Sequence, residues 1–454
     1  MKRIIFIVIL AACTASPFAQ QPPQQPPPQR PQPTDIEAAI TIEGGAAPRF
    51  AVPDFIAVSK DAETVAIAKT ISQVLFDDLA FEREFALIPR DVYSTIPAAT
   101  SFADVAFDRW RELNADGLVI GLVSKTGTGV KIEMRLYNVR TRQSSYGREY
   151  SGSPANPRLF AHQISDELHK QQRGLNGIAR TKLVFDSDRD GERVGGTVEQ
   201  RGVKELYIAD YDGENQRRIT VSRTLNINPS WSPDGRAIAY TSYRRGGGQI
   251  FVSHIFQALM DELTKGERVG ENWLPAWSPD GSKLCFTSTR DGNSEIYVMN
   301  SDGSNVRRLT RHPGIDISPT WSPTGTQIAF VSDRGGDPHI YVMDADGVGT
   351  PQRLTSEYSD RPTWSPAPYN EIAFSARTGP GNDIKVIDLA TRQIRQLTFG
   401  EGTNESPTWS SNGRHLAFMS TRAGKSQIFT MARDGKDIRQ LTRAGNNQQP
   451  NWSK

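Results

Sequence analysis

Two kinds of hydrophobic patterning divide this chain. Before Gly174, apolar residues recur with both helical and strand periods; from Arg180 onward they arrive as triplets at fixed spacing. In the first part Phe50-Ala-Val-Pro-Asp-Phe-Ile-Ala-Val58 reads as a strand, and Asp61 can cap a helix facing inward with Ile67, Ala68, Ile71, Val74, Leu75 and Leu79. Phe85-Ala-Leu-Ile88 reads as a short strand. Ser101-x-x-Asp104 resembles a capping box opening a helix that carries Phe102, Val105, Trp110 and Leu113, with Asn114-Ala-Asp-Gly117 as its stop. Leu118–Val123 reads as a buried strand. Beyond a turn at Lys125–Gly129, Val130, Ile132, Met134 and Leu136 alternate with polar residues, the period of a strand with one wet face. A last helix, from about Pro157 to Gln171, aligns Phe160, Ile164 and Leu168. The order β-α-β-α-β-β-α predicts helices packed on a mixed sheet.

In the second part the triplets fall into families. Ile238-Ala-Tyr240, Leu284-Cys-Phe286, Ile328-Ala-Phe330, Ile372-Ala-Phe374 and Leu416-Ala-Phe418 form one, and Ile250-Phe-Val252, Ile296-Tyr-Val298, Ile340-Tyr-Val342, Ile384-Lys-Val386 and Ile428-Phe-Thr430 the next. Each pair is preceded by a version of Pro-x-Trp-Ser-Pro-Asp-Gly and followed by Leu-Thr. The tryptophans are Trp231, Trp277, Trp321, Trp364, Trp409 and Trp452, at intervals of 46, 44, 43, 45 and 43. A period of about 40–50 residues with several short strands inside it marks propeller blades. Ser-Pro-Asp-Gly suits a type I turn, and the tryptophan suits the wedge between neighbouring blades. The first unit, with Leu183-Val-Phe185, Leu206-Tyr-Ile208 and Arg218-Ile-Thr220, lacks an innermost strand, and Gln449–Ser453 supplies one extra. The expected fold is therefore an N-terminal α/β domain (34–174) followed by a six-bladed β-propeller (180–454) of WD40-like blades, whose last strand closes the first blade.

The start of the chain changes the picture from globular to exported. Met1-Lys-Arg3 and the apolar run Ile4–Leu10 read as a secretory signal over 1–19, too short to span a bilayer. Leu10-Ala-Ala-Cys13 also resembles a lipobox, so Cys13 either leaves with the signal or carries an acyl anchor. Residues 20–33 are a Pro/Gln tract that buries no apolar surface and serves as an extended linker. No later run approaches the length of a membrane span. Cys285, in an apolar triplet, reads as an inert buried thiol. Losing Lys2 and Arg3 with the signal leaves 51 basic against 51 acidic residues, a balance that gives no reason to expect a nucleic-acid partner.

Catalytic and metal chemistry find little footing. Asp186-x-Asp188-x-Asp190-Gly191 begins like a calcium loop, but Thr197 stands where a bidentate glutamate is needed. His162 and His169 share a helical face without a third ligand. A hydrolase capped by a propeller would need Gly-x-Ser-x-Gly, which is absent. No enzyme activity, cofactor or metal is expected.

Over nearly the whole chain from about Ile36 to Trp452, the sequence resembles the TolB family, the periplasmic component of the Tol–Pal system of Gram-negative bacteria. The resemblance rests on Val52-Pro-Asp-Phe55, Ala115-Asp-Gly-Leu-Val-Ile-Gly121, Arg135-Leu-Tyr-Asn138, Ala161-His162 with Asp166, and the blade repeats. It implies a non-enzymatic hub that binds the peptidoglycan-associated lipoprotein Pal at the propeller and TolA through its extreme N-terminal segment, serving outer-membrane integrity and constriction during division. Two stretches depart from the family: the Pro/Gln tract replaces a short N-terminal segment, and Gln172-Arg-Gly-Leu-Asn-Gly177 is a weak version of the Gly-rich junction.

The residues just ahead of each aligned proline vary in charge while the strands stay monotonous. They are expected in loops at the mouth of the central channel, where binding function usually sits on a rigid scaffold. The candidate partner-binding residues are Asn226, Asn228, Asn272, Asp316, Ser318, Asp360, Arg361, Asn404, Glu405 and Ser406, with Leu274, Gln448 and Gln449 at the equivalent positions. The alternative function is an exported propeller that binds a small molecule or sugar.

Overall fold

A computed structural model describes residues 47–193, 202–265 and 270–454. The expected signal, Cys13, the Pro/Gln tract and the first residues of the α/β domain lie outside the described residues. Among those described, no helix is long and apolar enough to cross a membrane.

The first domain runs β1 (Arg49–Ala51), β2 (Ile56–Ala57), α1 (Ala62–Glu82), β3 (Ala86–Leu87), a 3₁₀ turn (Arg90–Thr95), α2 (Phe107–Glu112), β4 (Gly117–Thr126), β5 (Gly129–Asn138), β6 (Gln143–Gly152) and α3 (Pro157–Arg173). The sheet order is β3-β1-β4-β5-β6, parallel at β1 and antiparallel from β4 onward, with β2 continuing beside β4 past the end of β1. The expected strand over Phe50–Val58 is thus two pieces. Pro53 has no N–H to give a ladder and breaks it. The break is held by close packing: a Cβ on Gly117 would lie 2.5 Å from the Phe50 ring, and one on Gly121 2.2 Å from that of Phe55. The Asp61 carboxylate accepts from Thr64 N at 3.1 Å and starts α1, whose six predicted apolar residues are all buried. The Ser101 motif works in the opposite sense. Asp104 accepts from the N–H groups of Thr100 (2.9 Å) and Ser101 (2.7 Å), closing a turn, and α2 begins only at Phe107. β6 was not legible, because only Ser145 and Tyr146 of its ten residues are buried.

The rest of the chain forms six four-stranded antiparallel sheets. The sheet of blade 1 combines Asn447–Trp452 with Lys182–Ser187, Glu205–Asp210 and Arg217–Arg218, so the closure expected from the repeat count is present. Innermost strands of blades 2 to 6 are Asn226–Trp231, Asn272–Trp277, Asp316–Trp321, Ser359–Trp364 and Asn404–Trp409. Each tryptophan packs among residues of the blade before it; Trp321, for example, joins Cys285, Ile296 and Val298. The indole N–H groups of Trp277, Trp321 and Trp409 donate to the carbonyls of Ser230, Ala276 and Thr363 of those preceding blades, at 3.1–3.2 Å. The repeated Leu-Thr lies just past the short fourth strand. Its hydroxyl accepts the first N–H of the third strand's apolar triplet, as Thr310 does from Ile296 at 2.9 Å and Thr398 from Ile384 at 2.9 Å.

The first domain sits on the propeller face formed by the turns of blades 1 and 6. Phe81 packs edge-on against Tyr211 (4.9 Å) and flat against His415 (4.6 Å). Around it lies a buried polar seam. Tyr211 donates to Asp78 at 2.6 Å, His162 Nδ1 meets the other Asp78 oxygen at 2.8 Å, and Ile178 N donates to Glu82 at 3.0 Å. His415 Nε2 donates to the Phe81 carbonyl at 3.2 Å, and Arg414 pairs with Glu84. Burial pushes Glu82 up to about 8 and, with Arg414 nearby, His415 down to about 3. Burial disfavours the charge on His162 too, but the carboxylates of Asp210 and Asp78 outweigh it and hold its pKa up at about 9.

Two outcomes follow for stability. Trp452→Ala should destabilise by about 3–5 kcal/mol, and a chain lacking residues 448–454 should lose the cooperative melt of the propeller; a truncation that melts like the intact protein would show that the ring does not need its last strand. Because the pKa of His162 is held above the ordinary histidine value of 6.5, its contribution is complete below that pH and lost as the pH climbs through about 9. In denaturant titrations His162→Gln should therefore be weaker than the parent at about pH 6 and approach it toward about pH 9.5; a constant gap would remove His162 from the pH dependence.

Candidate functional site

The innermost strands line the central channel, and the residues ahead of each proline belong to those strands, not to rim loops. They divide into two sets with opposite fates.

The first residue of each strand is fully buried, as Asn226, Asn272, Asp316, Ser359, Asn404 and Asn447 all are. Buried polar side chains must be hydrogen-bonded, and most of these meet an arginine at or just past the end of the second strand. Arg290 donates to Asn272 (3.0 Å), Arg334 to Asp316 (2.8 Å), Arg422 to Asn404 (3.0 Å) and Arg189 to Asn447 (2.7 Å). Each guanidinium also lies over the blade's aromatic rings, as Arg290 does over Tyr297 at 4.9 Å. On its other side the asparagine reaches the preceding blade: Asn272 donates to Gln249 (2.9 Å), Asn404 to Asp383 (3.0 Å), Asn447 to Gln427 (2.8 Å) and Asn226 to Glu205 (2.7 Å). Asn226, Asn272 and Asn404, expected to meet a partner, are instead polar ties between blades, and Asp316 is buried against Arg334 of its own blade. Burial raises the pKa of Asp316 despite its arginine.

The third residue of each strand is Asn228, Leu274, Ser318, Arg361, Ser406 or Gln449, and all six have left-handed backbones, with φ between 52 and 56°. Each precedes its proline, and the strand register slips there. With no proline N–H to pair, the strand bulges and turns this residue toward the channel. The freed N–H groups of Leu274, Ser318 and Ser406 donate to Thr241, Thr287 and Ser375 of the blade before, at 3.1–3.3 Å. The six residues and their prolines line a channel of about 130 Å³. Non-glycine residues in this conformation cost about 1–3 kcal/mol each, so the ring is held against its local preference by the closed fold.

Charge enters at few points. Asp360 accepts from Arg361 N (2.6 Å) and from Ser318 Oγ (3.4 Å), and Glu405 accepts from Asn382 (2.7 Å). Asp186, wholly buried, pairs with Lys204 at 2.7 Å and feels the positive charge of Arg361; burial still raises its pKa. Asp186 and Lys204 are charges of the channel side that the sequence reading missed. Asp186 occupies the strand position of Thr241 and Thr287, which the repeat alignment could have exposed. The three carboxylates of the calcium-like stretch part company: Asp186 goes to Lys204, Asp188 to Asn446, and Asp190 to Tyr207 and Arg218. Likewise His162 turns to Asp78 and His169 to the Ser165 carbonyl. No group of three or more potential metal ligands occurs among the described residues.

Comparison with known proteins adds the following. The chain matches a family model described as the TolB beta propeller domain over residues 174–453 and another described as the TolB amino-terminal domain over residues 36–145. It is 38% identical over 268 residues to the Tol-Pal system protein TolB of Desulfosudis oleivorans, covering 58% of this chain and 58% of that protein. It is 33% identical over 208 residues to the protein of the same name from Cereibacter sphaeroides, covering 45% and 44%. The aligned stretches thus span about half the length of these relatives. The crystal structure of TolB from Acinetobacter baumannii superimposes with a TM-score of 0.75 at 25% identity, covering 90% of this chain and 97% of that one.

Substitutions at blade 4 test the assignment of the buried set. Asp316→Asn, which gives that blade the residue of blades 3 and 6, should change stability by less than about 1 kcal/mol. Arg334→Ala strands the carboxylate and should cost about 3–5 kcal/mol. Equal losses in urea unfolding would mean that Arg334 is not what holds the buried Asp316 carboxylate.

Proposed function

The chain belongs to the TolB family, and on that premise we propose that it is a non-enzymatic hub of the Tol–Pal system, working in the periplasm through protein partners. Residues 1–19 direct export and 20–33 act as a spacer. The peptidoglycan-associated lipoprotein binds at the channel face of the propeller, a TolA-like inner-membrane protein binds the N-terminal segment, and together they sustain outer-membrane integrity and its invagination during division.

The observation that carries this reading is the channel ring. Six left-handed positions on an otherwise uniform frame hold six side chains that differ in size and charge, Asn228, Leu274, Ser318, Arg361, Ser406 and Gln449. Strain concentrated on a varied set of residues favours recognition over scaffolding. Asp360 and Glu405, both partly exposed beside this ring, extend the surface. The first domain occupies the turns of blades 1 and 6 and makes no hydrogen bond to these positions among the described residues. Arg361 is the natural anchor, since arginine is among the residues enriched in the hot spots of protein interfaces. A small-molecule or sugar site in the channel is disfavoured by size, as about 130 Å³ falls short of the roughly 300–1,000 Å³ of ligand pockets.

Exchanging the charges, Arg361→Glu with Glu405→Arg, should weaken binding of the peptidoglycan-associated lipoprotein by about tenfold or more in calorimetry while leaving the thermal melt intact. Unchanged affinity would move the partner off this face.

A further inference from the structure

Blade 2, whose strands are Asn226–Trp231, Ala237–Ser242, Gln249–His254 and Leu259–Glu262, departs from its neighbours at the outer edge. In blades 1, 3, 4 and 6 the turn into the fourth strand carries a glycine with positive φ pressed onto the previous blade. A Cβ on Gly213, Gly303, Gly347 or Gly435 would lie 2.7–3.0 Å from a leucine carbonyl oxygen there. Blade 2 has Ile255-Phe-Gln-Ala258 instead, and its fourth strand runs four residues where the others run two or three. Phe256, Leu259 and Met260 are 78, 59 and 43% exposed, an apolar concentration that an edge strand is normally built to avoid.

Beside this edge a groove of about 1220 Å³ runs to the turns of blade 3, floored by Val252, Leu263 and Trp277. Trp277 is the one wedge tryptophan left partly open; the other five are at most 9% exposed. The described rim carries five acidic side chains (Asp234, Asp261, Glu262, Asp280 and Asp302) against two basic ones, Arg236 and Lys265, a net charge of −3 with histidine neutral. Arg245 pairs with Glu262 at 3.0 Å, and His254 Nε2 meets Asp261 at 2.9 Å.

We propose that this edge docks an extended segment of a partner protein, added as a fifth strand to blade 2, whose groove-facing side chains, every second residue, are by turns aliphatic and lysine or arginine. The main chain is arranged for it. Leu259–Glu262 ends its sheet, and Leu263 N–H donates inward to the Ile250 carbonyl at 2.9 Å. By the alternation of an antiparallel pair, Met260 and Glu262 turn their N–H and C=O groups outward. Leu259 and Asp261, opposite His254 and Val252, share the groove's face of the sheet, so groove-facing aliphatic residues of the incoming strand cover Leu259 and the floor while its groove-facing cations meet Asp261 and the acidic rim. A second copy of this chain fits poorly, because two rims of one sign repel. The inference uses none of the channel residues and stands apart from the reading of that face.

The test uses the full chain and a fluorescein-labelled, end-capped ten-residue peptide of repeating valine-threonine-lysine-threonine, followed by fluorescence polarisation. Saturable binding is expected, at least tenfold weaker for Asp261→Lys with Asp302→Lys and for Leu259→Asp, all exposed positions whose replacement spares the fold. N-methylation of alternate peptide bonds should abolish it, and the same peptide with glutamate in place of lysine should not bind. Any of four results overturns the proposal: no saturation below about 1 mM, equal affinity for the N-methylated peptide, equal affinity for the glutamate peptide, or indifference to all the substitutions. A dimer in sedimentation that Leu259→Asp dissolves would likewise overturn it, assigning the edge to a second copy.

Discussion

The antiparallel pairing of Asn447–Trp452 with Lys182–Ser187 is the constraint on which the rest depends. Each blade buries its tryptophan against the blade before it, so a blade is only as well covered as its predecessor. An open row would leave a bare wedge at one end and an unpaired inner strand at the other. The clasp converts that row into a cycle in which every core cluster spans a boundary: Trp409 packs with Ala373 and Ile384, and Trp452 with Ala417 and Ile428. The same cycle holds the left-handed residues of the channel in place, since the displaced N–H groups of Asn228, Leu274, Ser318 and Ser406 bond to the neighbouring blade and not to their own, while Arg361 N turns to Asp360.

Closure also separates the two faces. On one, the turns of blades 1 and 6 carry the first domain over a seam of buried ionisable groups, where Asp78, Glu82 and His162 are satisfied by residues far away in sequence. On the other, the inner strands present side chains that no packing rule fixes. A rigid body with one face committed and the other free suits a protein that holds a second protein without chemistry of its own.

Much of this was legible in the sequence because repetition carries its own alignment. Tryptophan spacing gave the number of blades, and the orphan Gln449–Ser453 gave the closure. The helices of the first domain could be read where cap and apolar stripe agree, as at Asp61 and Ile67–Leu79. What escaped has physical causes. Asp78 and Glu82 continue the apolar stripe of α1, seven residues beyond Ile71 and Leu75, but their partners Tyr211 and Ile178 lie far along the chain and left no local signal that these carboxylates are buried. The residue before a proline is expected in extended backbone, so the left-handed ring at Asn228 and its counterparts had no local signal. The burial of Asn272, Asp316 and Asn404 did have one: in each case an arginine follows 18 residues later, at Arg290, Arg334 and Arg422. That spacing marks a partner within the blade and not a surface for another protein.

The linker between the domains enters the ring beside its clasp. Trp452 donates to Thr181 at 2.7 Å, Lys182 N to Ser453 Oγ at 2.9 Å and Ser453 N to the Lys182 carbonyl at 2.8 Å, while Ile178 is tied to Glu82 on α1. Seen mechanically, the first domain is a lever mounted on the fastener of the ring. Tension applied through the N-terminus travels down the linker into the few bonds that keep the circle shut, and load reaches the blade opposite last.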